Sequence, residues 1–108
     1  MDVSRAPSNV YEGNGQLSVA APIPGARAEH TLVVVRPDSV EVLARCKYPQ
    51  DDQHYHRREW QVGTWEIAVE LPKRVDPSRS RATLNFGVLV VMAPISASGS
   101  GESRPSVE

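Results

Sequence analysis

Residues 82–94, Ala-Thr-Leu-Asn-Phe-Gly-Val-Leu-Val-Val-Met-Ala-Pro, constrain the fold more than any other part of the chain. Ala82, Leu84 and Phe86 alternate with Thr83 and Asn85, the two-residue period of a strand with one buried face. From Val88 to Ala93 the run is apolar on both faces, which suits a strand in the middle of a sandwich. Gly87 between them can take the positive φ of a sharp strand-to-strand corner. Pro94 lacks an N–H and closes the ladder. Two such strands cannot bury their faces alone, so the rest of the chain must supply cover.

It does so in short pieces. Val10-Tyr11-Glu12 reads as a short edge strand, and Gly13-Asn14-Gly15 as the turn after it. Leu17, Val19, Ala21 and Ile23 then share one face, while Pro22 and Pro24 confine that strand's end to an edge or exit position. Thr31 to Val35 is apolar on both faces and is turned by Pro37-Asp38. Val40, Val42, Ala44 and Cys46 alternate with Glu41, Leu43, Arg45 and Lys47. Trp65, Ile67, Val69 and Leu71 alternate with Thr64, Glu66, Ala68 and Glu70, up to Pro72. No helical period and no repeat interrupts this. Several short strands divided by turn signals predict an all-β, antiparallel, immunoglobulin-like β-sandwich.

Residues 1–9 are polar and read as a short flexible arm, residues 10–95 as the sandwich, and residues 96–108, rich in Ser, Gly, Pro and charge, as a disordered tail. At 108 residues the chain makes one domain with one modest core. A formal net charge of −1 gives no attraction for a nucleic-acid backbone. The single cysteine, Cys46, cannot form an internal disulfide, which fits a reducing cytoplasm. Met1-Asp2-Val3-Ser4-Arg5 lacks the apolar run of a signal peptide, and no stretch approaches the roughly 18 apolar residues of a membrane span. Neither nucleic acid nor membrane is therefore expected as a partner.

The ending A-x-L-x-x-G-V-L-x-V-x-x-P resembles the end of the core domain of small heat-shock proteins, the α-crystallin family. Other pieces stand in the family's order. Ala21-Pro22-Ile23-Pro24-Gly25 is similar to its A-x-L-P-G turn, and Tyr55-His56-Arg57-Arg58-Glu59 to the charged loop strand of its bacterial members. Gly63-Thr64-Trp65, Leu71-Pro72 and Val75-Asp76-Pro77 resemble G-x-F/W, L-P and V-D-P. The resemblance spans roughly Val10 to Pro94 and implies an α-crystallin-type sandwich. It also departs from the pattern. Ile67 stands where relatives often carry an arginine, Ala44-Arg45-Cys46-Lys47 where they read G-E-R-K, the arm is short, and no I-x-I or V-x-V segment follows Pro94.

Two surfaces follow from the resemblance. Strands matching those of Val33, Val35, Ala82 and Leu84 border an apolar groove in the family, which accepts a tail segment of another subunit or of a client protein by β-edge addition. The alternative is that these four residues only fill the core. The long polar excursion from Tyr48 to Val62 corresponds to a loop whose extra strand crosses to the partner subunit. Here His54, Tyr55, His56, Arg57, Arg58, Glu59 and Trp60 would form that strand, and Val10, Tyr11 and Glu12 the edge receiving it. A solvent loop is the alternative. His54 and His56, near Asp51, Asp52 and Cys46, could build a zinc or copper site, but solvated loop histidines account for them and no metal is expected. No nucleophile motif or phosphate loop occurs, so neither catalytic residues nor a cofactor are expected.

The resemblance therefore implies an ATP-independent chaperone that holds partly unfolded proteins, active as a homodimer. Two alternatives stay open: a dimerising module that co-assembles with longer relatives by accepting their tails, and a p23-like co-chaperone adaptor that binds a folded partner.

Overall fold

Alternating strands of this kind bury one face each, so two sheets stack face to face. The computed structural model describes residues 3–46, 53–59 and 63–108. Its first sheet, sheet A, is ordered β1 (Val3–Arg5), β6 (Thr64–Glu70), β5 (Ser39–Ala44), β4 (Thr31–Arg36). The second, sheet B, is ordered β2 (Asn9–Gly13), β3 (Gln16–Pro22), β8 (Val88–Pro94), β7 (Arg81–Asn85). All pairs are antiparallel except β1 with β6. Two single 3₁₀ turns, Ala28–His30 and Pro77–Arg79, are the only helical pieces among the described residues.

The inward faces are the ones the alternation predicts. Leu17, Val19, Ala21 and Ile23 meet Val40, Val42, Ala44 and Cys46, and all are buried. The β8 run, placed between β3 and β7, contributes Leu89, Val91 and Ala93. Each fully buried Val, Leu or Ile contributes about 1.5–3 kcal/mol. Ile67 lies in the same core. Trp65 Nε1–H donates to the Pro24 carbonyl at 3.1 Å, tying sheet A to the exit of β3.

Three expectations are corrected. Phe86 does not continue the buried face of β7. With Gly87 it makes a two-residue turn, φ 53° and 77°, because Asn85 pairs directly with Val88, and its side chain is fully exposed. The arm at residues 1–9 is not loose where it is described. β1 adds to the β6 edge, the Ala6 amide donates to the Glu66 carbonyl at 3.0 Å, and the Ala6 side chain is buried. A bare β6 would leave a row of unpaired backbone groups, and β1 satisfies them. Residues 96–108 are not disordered either, because the other end of each sheet supplies edges for them to pair with.

Candidate peptide-binding furrow and open sheet edge

β4 is the outer strand of sheet A and β7 that of sheet B. Val33 and Val35 stand on β4, and Ala82 and Leu84 on β7. Val33, Val35 and Ala82 are buried in the core, and Leu84 is half-buried against it. These side chains pack in the core, and the chain's own tail pairs with the backbone of Val35, Ala82 and Leu84.

The tail is pinned along its whole course. The Ser96 amide donates to the Arg74 carbonyl, and Arg74 Nε donates to the Gly99 carbonyl at 2.7 Å. Gly99 packs so closely that a Cβ there would lie 1.8 Å from the Val75 carbonyl oxygen. Glu102 pairs with Arg36 Nε at 3.1 Å, an exposed contact worth less than about 1 kcal/mol. Val35 and Ser103 then exchange both backbone hydrogen bonds, at 2.8 and 2.9 Å. Farther on, the tail runs parallel to β7: the Glu108 amide donates to the Ala82 carbonyl and the Leu84 amide to the Glu108 carbonyl, with Val107 half-buried against the core. Residues 103–108 are thus a strap joining the edges of both sheets. Sequence reasoning missed it by looking for two spaced apolar residues. The available signals were one valine, Val107, closing a polar run, and a glycine, Gly99, at the close approach.

The opposite edge of sheet B is different. All five residues of β2 are exposed, including Val10 and Tyr11, and its outward side has no strand beside it among the described residues. Glu12 pairs with Lys73 Nζ at 3.0 Å across the surface. Residues 53–59 belong to no strand within the single chain; Trp60 lies outside the described residues. His54, His56, Arg57, Arg58 and Glu59 are exposed, and Arg57 pairs with Glu59 at 2.6 Å. Tyr55 is half-buried, its hydroxyl enclosed with no hydrogen-bond partner among the described residues, and the Arg58 guanidinium lies 5.2 Å from its ring. The His54 and His56 rings meet edge to face at 5.1 Å. No group of three metal-ligating side chains comes together among the described residues. Cys46 is buried, which pushes its thiol above the ordinary value.

Comparison with known proteins completes the description. A family model described as the Hsp20/alpha crystallin family matches residues 9–107. Among solved structures, heat shock protein 16.0 from Schizosaccharomyces pombe superposes with a TM-score of 0.76 at 19% identity, covering 88% of this chain and 69% of its own. A small heat-shock protein from Xylella fastidiosa, whose structure is described as a distinct high order one, gives 0.72 at 21% identity, covering 89% and 90%. The hspA protein of Xanthomonas axonopodis gives 0.73 at 17%, covering 90% and 97%. No curated protein matches by sequence.

Proposed function

Because the chain belongs to the Hsp20/alpha crystallin family, a family of chaperone-type proteins, we propose that it is an ATP-independent holdase for partly unfolded proteins in the cytoplasm. The observation that carries this reading is the seated strap. An extended segment with one apolar side chain fits between β4 and β7, held by four backbone hydrogen bonds at Val35, Ala82 and Leu84. A furrow that takes its own tail this way is chemically suited to an unfolded segment of another protein, read by backbone pairing and one apolar contact rather than by sequence. Client and strap compete for Val33, Val35, Ala82 and Leu84, so holding at the furrow begins with strap displacement.

Self-association belongs to the β2 edge. Val10 and Glu12 present outward-facing backbone on either side of the exposed Tyr11, and residues 54–60 of a second copy supply β-formers to cover it. Such exchange gives a homodimer with two linked furrows, which raises the avidity of weak sites. Light scattering of a heat-labile client tests the holdase: aggregation should fall at equimolar chain, and no suppression at several-fold excess overturns the reading.

A second reading is favoured by the same strap. A furrow that takes tails could serve assembly with longer relatives. Titration with an I-x-I peptide, followed at the Val35 and Leu84 amides, separates the two. Tight peptide binding without client protection supports the assembly role. A co-chaperone adaptor would instead capture a folded partner without heating.

A further inference from the structure

The seated strap shows what kind of segment the β4 and β7 edges accept. Coverage along it alternates with the two-residue period of an extended chain. Ser103, Pro105 and Val107 are half-buried, whereas Arg104, Ser106 and Glu108 are exposed. The covered positions therefore hold a small side chain, a proline and a β-branched one, in that order.

The pairing explains the proline. Ser103 exchanges both backbone hydrogen bonds with Val35 on β4, and Glu108 makes those to Ala82 and Leu84 on β7, at 3.0 and 2.8 Å. Between these two anchor points the strap crosses from sheet A to sheet B, and Pro105 makes no backbone hydrogen bond to either edge. Inside a ladder a proline forfeits a bond; at this crossing it forfeits none. Its fixed φ, and the extended conformation it imposes on Arg104 before it, shape the crossing before the segment binds. A proline here therefore lowers the entropy cost of seating.

The pairing is also directional. The strap runs antiparallel to β4 at Ser103 and parallel to β7 at Val107. A segment laid in the opposite sense would need parallel pairing on β4 and antiparallel pairing on β7, with donors and acceptors in different places. The backbone bonds at the two ends accept any sequence, but the crossing and the direction do not. We infer that the furrow prefers guest segments of the pattern small-x-Pro-x-β-branched, read in one direction from β4 to β7. As a statement about clients this rests on the holdase reading, and it narrows the clients to segments with a proline two residues before Val, Ile or Thr.

Three free peptides test it, titrated while the Val35 and Leu84 amides are followed, in the parent chain and in full-length Val107→Asp, whose own strap competes less. The strap sequence Glu-Ser-Arg-Pro-Ser-Val-Glu should bind both chains, and Val107→Asp more tightly. The same peptide with alanine in place of proline should bind about fivefold more weakly, and the reversed sequence about tenfold more weakly. In the client-aggregation assay the proline peptide should relieve suppression at the lowest concentration of the three. Equal binding by the alanine peptide or by the reversed one overturns this inference and leaves the holdase reading standing. A shift with none of the three in either chain means that the strap is no guide to a guest, and overturns it too. A parent that suppresses no aggregation overturns the holdase reading, while the order of the peptide affinities still decides what the furrow prefers.

Discussion

The two outer strands of sheet B have the same task and meet it in different ways. β7 has its outward backbone groups paired by the chain's own strap, at Ala82 and Leu84. β2 has none of its five residues covered and shows Val10 and Tyr11 to solvent. In sheet A, β1 caps β6 and the Val35–Ser103 pair caps β4. Among the described residues, β4, β6 and β7 are each covered by a terminal segment and β2 is not. The difference separates an edge covered from within the chain from an edge left exposed. A free β-edge is an aggregation hazard, so the second kind favours dimerisation, whereas the first supports reversible binding.

Gly99→Ala should break this contrast most severely. The added methyl has a backbone oxygen in its path, so the strap must shift, and about 2 kcal/mol of stability should be lost in chemical denaturation. Amide exchange at Val35 and Leu84 should quicken while β2 is unchanged. Equal protection at those amides would mean that the strap is not held at Gly99.

Val107→Asp gives a smaller effect in the same direction. Losing this half-buried contact costs about 1 kcal/mol. Since strap and guest compete, an I-x-I peptide should bind about fivefold more tightly to the variant, measured by calorimetry. Weaker binding would make Val107 part of the receptor instead of its competitor.

Tyr11→Lys acts on the other edge. It should weaken self-association at least tenfold in mass measurements at two concentrations, with stability changed by less than about 0.5 kcal/mol. Loss of client protection in parallel would link dimerisation to holding. An unchanged mass would remove β2 from the interface.

Cys46 sharpens the comparison from the core, where neither edge variant reaches. It should resist alkylation equally in the parent and in Tyr11→Lys. Because burial raises the folded thiol's pKa, its contribution is fully present below the thiol's ordinary value and is lost as pH rises through the folded value. Denaturation midpoints should therefore fall in the alkaline range, and Cys46→Ala should flatten that slope.

What was legible in the sequence followed from periodicity. Leu17, Val19, Ala21 and Ile23, or Val40, Val42 and Ala44, announce their buried face by spacing alone, and burial of that face then selects the register. What was not legible rests on local exceptions. Alternation placed Phe86 on a buried face, since a two-residue turn containing a bulky residue breaks the usual turn chemistry. The strap was hidden because backbone pairing hardly depends on side-chain identity, so Ser103 and Glu108 carry no mark of their role. β1 escaped notice for the same reason: three residues next to a long-range edge have no period to read. The furrow residues Val33, Val35, Ala82 and Leu84 came from family resemblance, and spacing alone would have assigned them only to the core.

The origin of the edge covers also bears on the order of folding. Val3 meets Thr64 and Val35 meets Ser103, contacts that join segments far apart along the chain. Closing such long loops is entropically slow, whereas the β2–β3, β4–β5 and β7–β8 hairpins form from neighbours. The covers of β4 and β6 thus share their dependence on long-range closure with the β3–β8 pairing at the centre of sheet B, whereas the strap on β7 closes a much shorter loop.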